Sequence, residues 1–195
     1  MANVQAAFGF RHIGFLSGGA PDYQQSPYSI LSTNATKIFF GDPVIIDPTS
    51  GLLQQLAATT TQLVGVFVGC VFTPVGGLAV PQWSPYWPGA AASVATAYVI
   101  DAPNAVFLAA ALNTAIVTAN IGENITVNIG TGSQVGGGFS GATLDQAGLT
   151  TATPAPFKIV GLYNGIGNGS DPSTAYNWVR VAFNNQQFRS QTGIA

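Results

Sequence analysis

The residue types that carry hydrolytic chemistry are sparse in this chain of 195 residues. His12 is the only histidine, so a Ser-His-Asp arrangement would have to use it. The nearest candidate nucleophile is Ser140, in the run GFSGA at 138–142. A nucleophile elbow needs G-x-S-x-G between a strand and a helix, whereas this run ends in alanine within a glycine-rich loop. The sequence therefore predicts no catalytic residue, and a small hydrolase using His12 is kept only as a third alternative.

Metal and cofactor sites are equally poorly supported. One histidine and one cysteine cannot supply a zinc site, and the chain has no D-x-D-x-D-G loop for calcium. The run GIGNG at 165–169 resembles part of a dinucleotide fingerprint, but Ser-Asp-Pro follows it instead of a helix. We therefore expect no metal and no cofactor.

The charge content points to a protein that works in contact with other proteins. Only five residues are Lys or Arg and seven are Asp or Glu, whereas soluble domains usually carry roughly a quarter of their residues as charged types. Solubility must come from neutral groups, including 24 Asn and Gln side chains. Because such a surface repels its neighbours weakly, the composition predicts self-association or packing against a partner, and favours structural assembly over solution enzymology.

The same composition argues against two classes of partner. The five cations are scattered, whereas binding of nucleic acid through its phosphates needs clustered cations. The longest apolar run, 63–72, is far shorter than the roughly 20 residues of a membrane-spanning helix. The first residues also lack the features of a signal peptide. We expect no nucleic-acid or membrane partner, synthesis in the cytoplasm, and Cys70 as a small core residue.

Short strands dominate the predicted elements, because 24 glycines and 12 prolines interrupt runs rich in Val, Ile, Phe, Tyr and Thr. We expect an all-β fold with a compact β-barrel or jelly-roll-like core, long loops and at most one short helix. The predicted strands are 44–46, 63–72, 95–100, 124–129 and 178–183; the predicted long loops are 17–29, 73–92 and 130–156; a single helical turn is predicted within 113–120.

Residues 1–19 are predicted to form an N-terminal arm ahead of a single β domain at 20–195, with a further boundary near 73–92 left open. The arm carries five large apolar side chains but is cut by glycines, so no strand of normal length is expected in it. One hypothesis is that the arm reaches onto a neighbouring subunit. The alternative is that these side chains close the bottom of the barrel.

An aromatic loop is the second candidate contact element. It carries Trp83, Tyr86 and Trp87 between prolines. These rings either cover one end of the barrel or anchor an interface, since Trp and Tyr are enriched in binding hot spots.

Six stretches, taken in order along nearly the whole chain, resemble a family of small proteins that tailed bacteriophages encode beside the major capsid protein. They are FGFR at 8–11, FGDPV at 40–44, VGVF at 64–67, AYVIDAP at 97–103, GTGS at 130–133 and WVRVAFNN at 178–185. The resemblance implies a capsid cement, or decoration, protein that sits on the outer shell, often as a trimer, and holds capsomers together. Two features depart from the family: Ala102 and Asn104 stand where acidic residues are common, and no Arg occurs near 137–140.

The function that follows from this resemblance is structural. We expect a virion protein on the outer capsid surface, with the major capsid protein and further copies of itself, as a homotrimer, as partners. The expected contact elements are the N-terminal arm, the aromatic loop and the glycine loop at 130–150. The alternative is a carbohydrate- or receptor-binding module of a phage tail or fibre, which the aromatic and amide side chains would equally suit. The expected contact residues are Phe8, Phe10, Arg11, Phe15, Trp83, Tyr86 and Trp87.

Overall fold

The computed structural model describes residues 2–76, 80–135 and 137–189, and within these ranges the protein is all-β. The regular elements are fourteen strands and two short 3-10 turns, Thr118–Asn120 and Gln187–Arg189. In the described ranges, no helix is long and apolar enough to cross a membrane. The strands are β1 Arg11–Phe15, β2 Ser26–Ile30, β3 Ile38–Phe39, β4 Pro43–Ile46, β5 Leu53–Gln55, β6 Gly65–Phe72, β7 Gln82–Ser84, β8 Tyr86–Trp87, β9 Ala95–Ile100, β10 Ala105–Ala110, β11 Asn124–Asn128, β12 Thr143–Thr150, β13 Phe157–Leu162 and β14 Trp178–Phe183.

Two antiparallel sheets form a sandwich. Sheet A has the order β1-β10-β14-β13-β11-β12, and sheet B has the order β2-β9-β6-β4-β5, with β7 paired to β6 as its sixth strand. Strands β3 and β8 form a separate two-stranded ribbon. Leu144 of β12 also forms a single bridge with Ala111, which follows β10. The described strands form two six-stranded sheets and no closed barrel, so the expectation of a β core is confirmed as a sandwich.

The chain lays down the sheets almost one after the other. Sheet B lies wholly within residues 26–100, while sheet A takes β1 and then the strands between 105 and 183. The change from sheet B to sheet A therefore falls at 101–104. Strands on both sides of 73–92 belong to sheet B, so the boundary considered there does not separate the sheets.

Two apolar clusters hold the layers together. The larger one lies between the sheets, and it combines Val66 and Ile100 of sheet B with Phe107 and Ile125 of sheet A. The second lies under the β3–β8 ribbon and includes the fully buried Trp87. Cys70 belongs to this second cluster, and burial raises the pKa of its thiol to about 12, so it is a core residue as expected.

Glycines allow the close packing of β6. A Cβ atom at Gly65 would lie 2.4 Å from the carbonyl oxygen of Ile100, and one at Gly69 would lie 2.8 Å from that of Ser84. The glycines in the predicted strand 63–72 therefore mark close backbone approach, which is one of the reasons for a glycine inside a strand.

The loop predictions are wrong in extent. β2 lies in the predicted loop 17–29, β7 and β8 lie in 73–92, and the whole of β12 lies in 130–156. These strands are short or carry glycine and polar residues, so their local sequences resemble loops. Pairing with neighbouring strands overrides this local preference.

The expectation that residues 1–19 contain no pairing strand of normal length is also wrong, because a strand of five residues lies there. Arg11–Phe15 forms β1 and pairs antiparallel with β10, from Arg11 opposite Leu108 to Phe15 opposite Ala105. The pairing shifts between His12 and Gly14, an irregularity that lets a glycine-containing segment stay in the sheet. Residues 11–15 are therefore an edge strand of sheet A and not part of a free arm.

Candidate interaction surface

Three segments distant in sequence cross at one point beside β1. The backbone N–H of Phe10 donates to the carbonyl oxygen of Gly41, and that of Phe40 donates to Gly138, each at 2.9 Å. Gly9 has a φ of +72°, and a Cβ atom there would lie 2.6 Å from the Cβ of Ser140. Glycine is therefore required at Gly9 for both conformation and space. The crossing joins the N-terminal segment, the β3–β4 turn and the glycine loop.

A buried carboxylate lies at the centre of this crossing. Asp42 is fully buried and accepts hydrogen bonds from the backbone N–H of Phe39 at 2.8 Å, from Nε2 of Gln55 at 2.7 Å and from the hydroxyl of Ser140. The Ser140 oxygen in turn accepts from the N–H of Ala142 at 2.9 Å. Burial raises the pKa of Asp42, and the three hydrogen bonds act in the opposite direction. This network fixes the glycine loop to sheet B.

Aromatic rings and one arginine form the outer side of the crossing. The guanidinium of Arg11 lies 5.3 Å from the ring centroid of Phe8 and 5.1 Å from that of Phe139, within the range of cation–π attraction. Phe139 is 38% exposed and meets Phe40 edge-on, with centroids 6.0 Å apart. An exposed cation is thus held between two rings that belong to different segments.

The aromatic loop joins the same surface through Tyr86. Its ring stacks on Phe39 with centroids 6.0 Å apart, and it lies 2.8 Å from the position of a Cβ atom at Gly138. The β3–β8 pairing fixes Tyr86 opposite Phe39. All three predicted contact elements therefore meet. We name the partly or fully exposed side chains that these elements bring to the crossing the aromatic–arginine surface and define it as Phe8, Arg11, Phe40, Tyr86 and Phe139.

Two of the expected contact residues are core residues. Phe10 is 1% exposed and stacks on Phe157 with centroids 4.4 Å apart. Trp87 is fully buried, and its indole N–H donates to the carbonyl oxygen of Asn34 at 2.8 Å. A partner could not reach either side chain in this structure, so the expectation of contacts through them is corrected: both close the core.

The two remaining expected residues lie outside the aromatic–arginine surface. Phe15 is half-buried and meets the His12 ring edge-on, with centroids 5.1 Å apart. Trp83 is 59% exposed, and its ring covers Gly69 on β6. Phe40 and Phe139 were not expected as contact residues. The signal that could have indicated Phe139 is a large apolar side chain among glycines, in a loop with little other apolar surface.

The structure gives the candidate catalytic residues other tasks. Ser140 is 2% exposed and donates to Asp42, while Nε2 of His12 lies 3.0 Å from the carbonyl oxygen of Gly14. Each of these hydrogen bonds belongs to the fold, and neither of them joins His12 to Ser140. In the described part of the chain, no group of three or more His, Cys, Asp or Glu side chains is arranged to hold a metal ion.

Comparison of the chain with protein-family models, with curated proteins and with solved structures yields no match. A function must therefore be inferred from the geometry of the crossing and of the aromatic–arginine surface, together with the resemblance of the six sequence stretches.

Proposed function

We propose that this chain is a structural protein of a bacteriophage virion, which binds the outside of the capsid and clamps neighbouring major capsid protein subunits. The observation that carries this proposal is the convergence of three separate segments on the aromatic–arginine surface. These segments are the elements that the sequence suggested as contacts with the shell. No catalytic residue enters the proposal, and the protein acts mechanically.

The composition of the surface sets the mechanism. Phe139 and the half-buried rings of Phe8 and Tyr86 offer apolar area, and Arg11 offers one planar cation already oriented by its neighbours. Burial of such rings against a capsid subunit would stabilise the shell by roughly 25 cal/mol for each Å² of apolar surface removed from water. Shell expansion or internal pressure would then have to break these contacts as well as those between capsid subunits.

The experiment is a decoration assay with undecorated phage capsids. The test variant is Phe139→Ala, and the matched control is Phe188→Ala, which removes another exposed phenyl ring far along the sequence; Phe188 is 60% exposed. We expect Phe139→Ala to lower capsid occupancy while Phe188→Ala leaves it unchanged. Cryo-electron microscopy of decorated particles should place the aromatic–arginine surface against the shell. Wild-type protein that binds no capsid would refute the proposed function.

We include self-association, as a homotrimer, in this proposal. The edge strands β1, β2, β5 and β12 contain no lysine, the residue that commonly blocks edge-to-edge pairing. Sedimentation is expected to give a species larger than the 20.0 kDa monomer at micromolar concentration. A stable monomer would remove the trimer from the proposal without affecting capsid binding.

One observation favours the second candidate, a carbohydrate- or receptor-binding module. The indole of Trp83 packs over Gly69 of β6, and the residue is 59% exposed, so aromatic surface is open to solvent. Sugars stack on such faces. Binding to a glycan array that is lost in Trp83→Ala would support this candidate, whereas an array without signal would leave the capsid proposal alone.

A further inference from the structure

An apolar cleft opens beside the aromatic–arginine surface, between β1 and β6. Its volume is about 300 Å³. Val66, Val68 and Ile100 contribute from sheet B, and Ile13 and Tyr23 contribute near the mouth, where their side chains are exposed. The remaining lining residues are Phe10, Arg11, His12, Phe40 and Phe67. A cleft of this size accepts one large apolar group of roughly ten to fifteen heavy atoms.

Arg11 is the one residue with a full charge among the described residues that line the cleft. Arg11 is exposed and is one of the lining residues, and its guanidinium is oriented by Phe8 and Phe139. His12 also lines the cleft, but burial lowers its pKa, so the ring is neutral at pH 7. The nearby acidic residue Asp22, which acts on His12, lines a separate groove with Phe15 and Asp101. An anion at the mouth would therefore meet a cation.

The inner part of the cleft sets the orientation of an occupant. With its Nε2 hydrogen bonded to Gly14, the neutral His12 ring keeps Nδ1 as a lone-pair acceptor, and this buried atom has no hydrogen-bond partner among the described residues. A carboxylate placed inward would lose its hydration among apolar walls, where no described lining side chain besides Arg11 carries a positive charge. A carboxylate placed outward would meet Arg11. The apolar end of the occupant therefore belongs inside.

We infer that this cleft is an anchor pocket for a large apolar side chain that stands next to a carboxylate on the capsid protein. The inference rests on the proposed function, because that function supplies the partner. The apolar group fills the space between the sheets, and the carboxylate pairs with Arg11 at the mouth. Arg11 then links the pocket to the aromatic–arginine surface, so both contacts engage the same partner.

The chemistry of the pocket is tested first on the isolated protein by NMR titration. The probes are 4-phenylbutyrate and 4-phenylbutylamine, which have the same apolar body and opposite charge. We expect the carboxylate to shift the amide signals of Val66 and Val68 and the amine to bind more weakly. Arg11→Gln should weaken carboxylate binding by about fivefold, the effect of one exposed charge pair. Arg180→Gln, at the exposed residue of β14, is the control and should have no effect.

The use of the pocket is tested by filling it. Val68→Phe fills the interior, and Ile13→Trp fills the mouth at a residue that is 38% exposed, so the second variant folds even where the first does not. Val160→Phe, at a half-buried valine of β13, is the matched control. We expect both filling variants to lose probe binding and to decorate capsids less than wild type, and the control to retain both.

The outcomes separate the two proposals. If neither probe shifts the cleft signals, or the amine binds as well as the carboxylate, the pocket inference is overturned. Filled variants that decorate capsids like wild type also overturn it, while the proposed function stands. If wild-type protein fails to decorate capsids, the proposed function and a capsid-borne occupant are both overturned, whatever the probes show.

Discussion

The N-terminal segment is tied to the sandwich at two places that differ in chemistry. The first is the crossing at Gly9, where the N–H of Phe10 donates to Gly41 beside the buried Asp42, which accepts three hydrogen bonds from other segments. The second is a clamp at Asn3, which lies partly in solvent and uses neutral amides. The clamp includes more hydrogen bonds than the three at Asp42. The bonds at Asp42 should nevertheless contribute more to stability, because a hydrogen-bonding group costs most when it is left unpaired away from water.

The clamp joins the first residues to the β13–β14 connection. Asn3 donates through Nδ2 to the carbonyl oxygen of Asp171 at 2.8 Å and accepts through Oδ1 from the N–H of Gly169 at 3.0 Å. Val4 and Asn168 exchange two further bonds, at 2.7 and 2.9 Å. Water can replace each of these partners if the clamp opens. At Asp42, burial prevents water from replacing a lost hydrogen-bond partner.

The largest effect is expected from Asp42→Ala. The change leaves the buried donors of Phe39 and Ser140 without their acceptor, and Gln55 loses its partner as well. At about 1–3 kcal/mol for each buried unsatisfied group, the free energy of unfolding should fall by about 3–5 kcal/mol. Chemical denaturation measures this change. Asp47→Ala is the control, since Asp47 caps a solvent-exposed turn through Ser50, and it should cost less. Equal losses in the two variants would contradict the comparison.

Replacement of Gly9 and of Gly51 by alanine distinguishes two costs at the crossing: the crowding by neighbouring atoms and the left-handed backbone conformation. Gly9 and Gly51 have nearly the same φ, +72° and +70°, but a Cβ atom at Gly51 would meet nothing within 4 Å. Gly51→Ala should therefore cost only the left-handed conformation, about 1–2 kcal/mol. Gly9→Ala adds overpacking against Ser140 and Gly41 and should cost about 1–3 kcal/mol more. Thermal unfolding of the pair gives the difference, and equal midpoints would show that the crossing can relax.

The pH dependence of stability should have opposite signs at the two ties. Burial raises the pKa of Asp42 above 3.8. The stability that Asp42 contributes is therefore fully present below pH 3.8 and is lost as the pH rises through the raised pKa. The bond from Ser173 lowers the pKa of Asp171, in the loop held by the clamp, so that contribution is present above 3.8 and is lost as the pH falls through the lowered value.

The measurement for Asp42 is the unfolding free energy of wild type against Asp42→Asn at a series of pH values. Wild type should lose stability relative to the neutral variant as the pH rises from below 3.8. A difference that grows in favour of wild type over this range would mean that the hydrogen bonds to the carboxylate outweigh its burial.

The smallest effect on global stability is expected from Asn3→Ala. A partly exposed neutral hydrogen bond contributes about 0.5–1.5 kcal/mol, and water compensates part of the loss, so we expect a change below about 1 kcal/mol. Hydrogen exchange should reveal the local effect, with faster exchange at the amides of Gly169 and Asp171. The Phe10 amide, bonded to Gly41, should exchange as in wild type. Faster exchange at Phe10 would mean that the two ties are coupled.

Strands with a clear alternation or a long β-branched run could be predicted from the sequence. Ala95–Ile100 agrees with its prediction at both ends, and the strands at Asn124–Asn128 and Trp178–Phe183 agree closely, because their apolar side chains alternate towards the core. Thr143–Thr150 was missed. Its polar and glycine-containing sequence resembles a loop, and its pairing with β11 depends on the whole sheet.

The candidate site could be predicted only in part. Phe8, Arg11 and Tyr86 were expected as contact residues, since aromatic and arginine side chains are typical of interfaces, and they lie in segments that meet at or beside the crossing. The exposure of each ring could not be predicted: Trp87 and Trp83 lie in the same loop, yet one is fully buried and the other is 59% exposed. The role of Asp42 could not be predicted, since an aspartate before a proline indicates only a turn.

The order of the strands along the chain has a consequence for synthesis on the ribosome. All strands of sheet B lie within residues 26–100, so this sheet has its partners as soon as that stretch has emerged. β1 emerges earlier but pairs with β10, which in turn pairs with β14 near residue 180. Since pairing over long sequence separations is slow, sheet A should close last. During translation the core-facing side of sheet B would therefore stay exposed to solvent. Sheet B would be the first folded surface on which the later strands can pack.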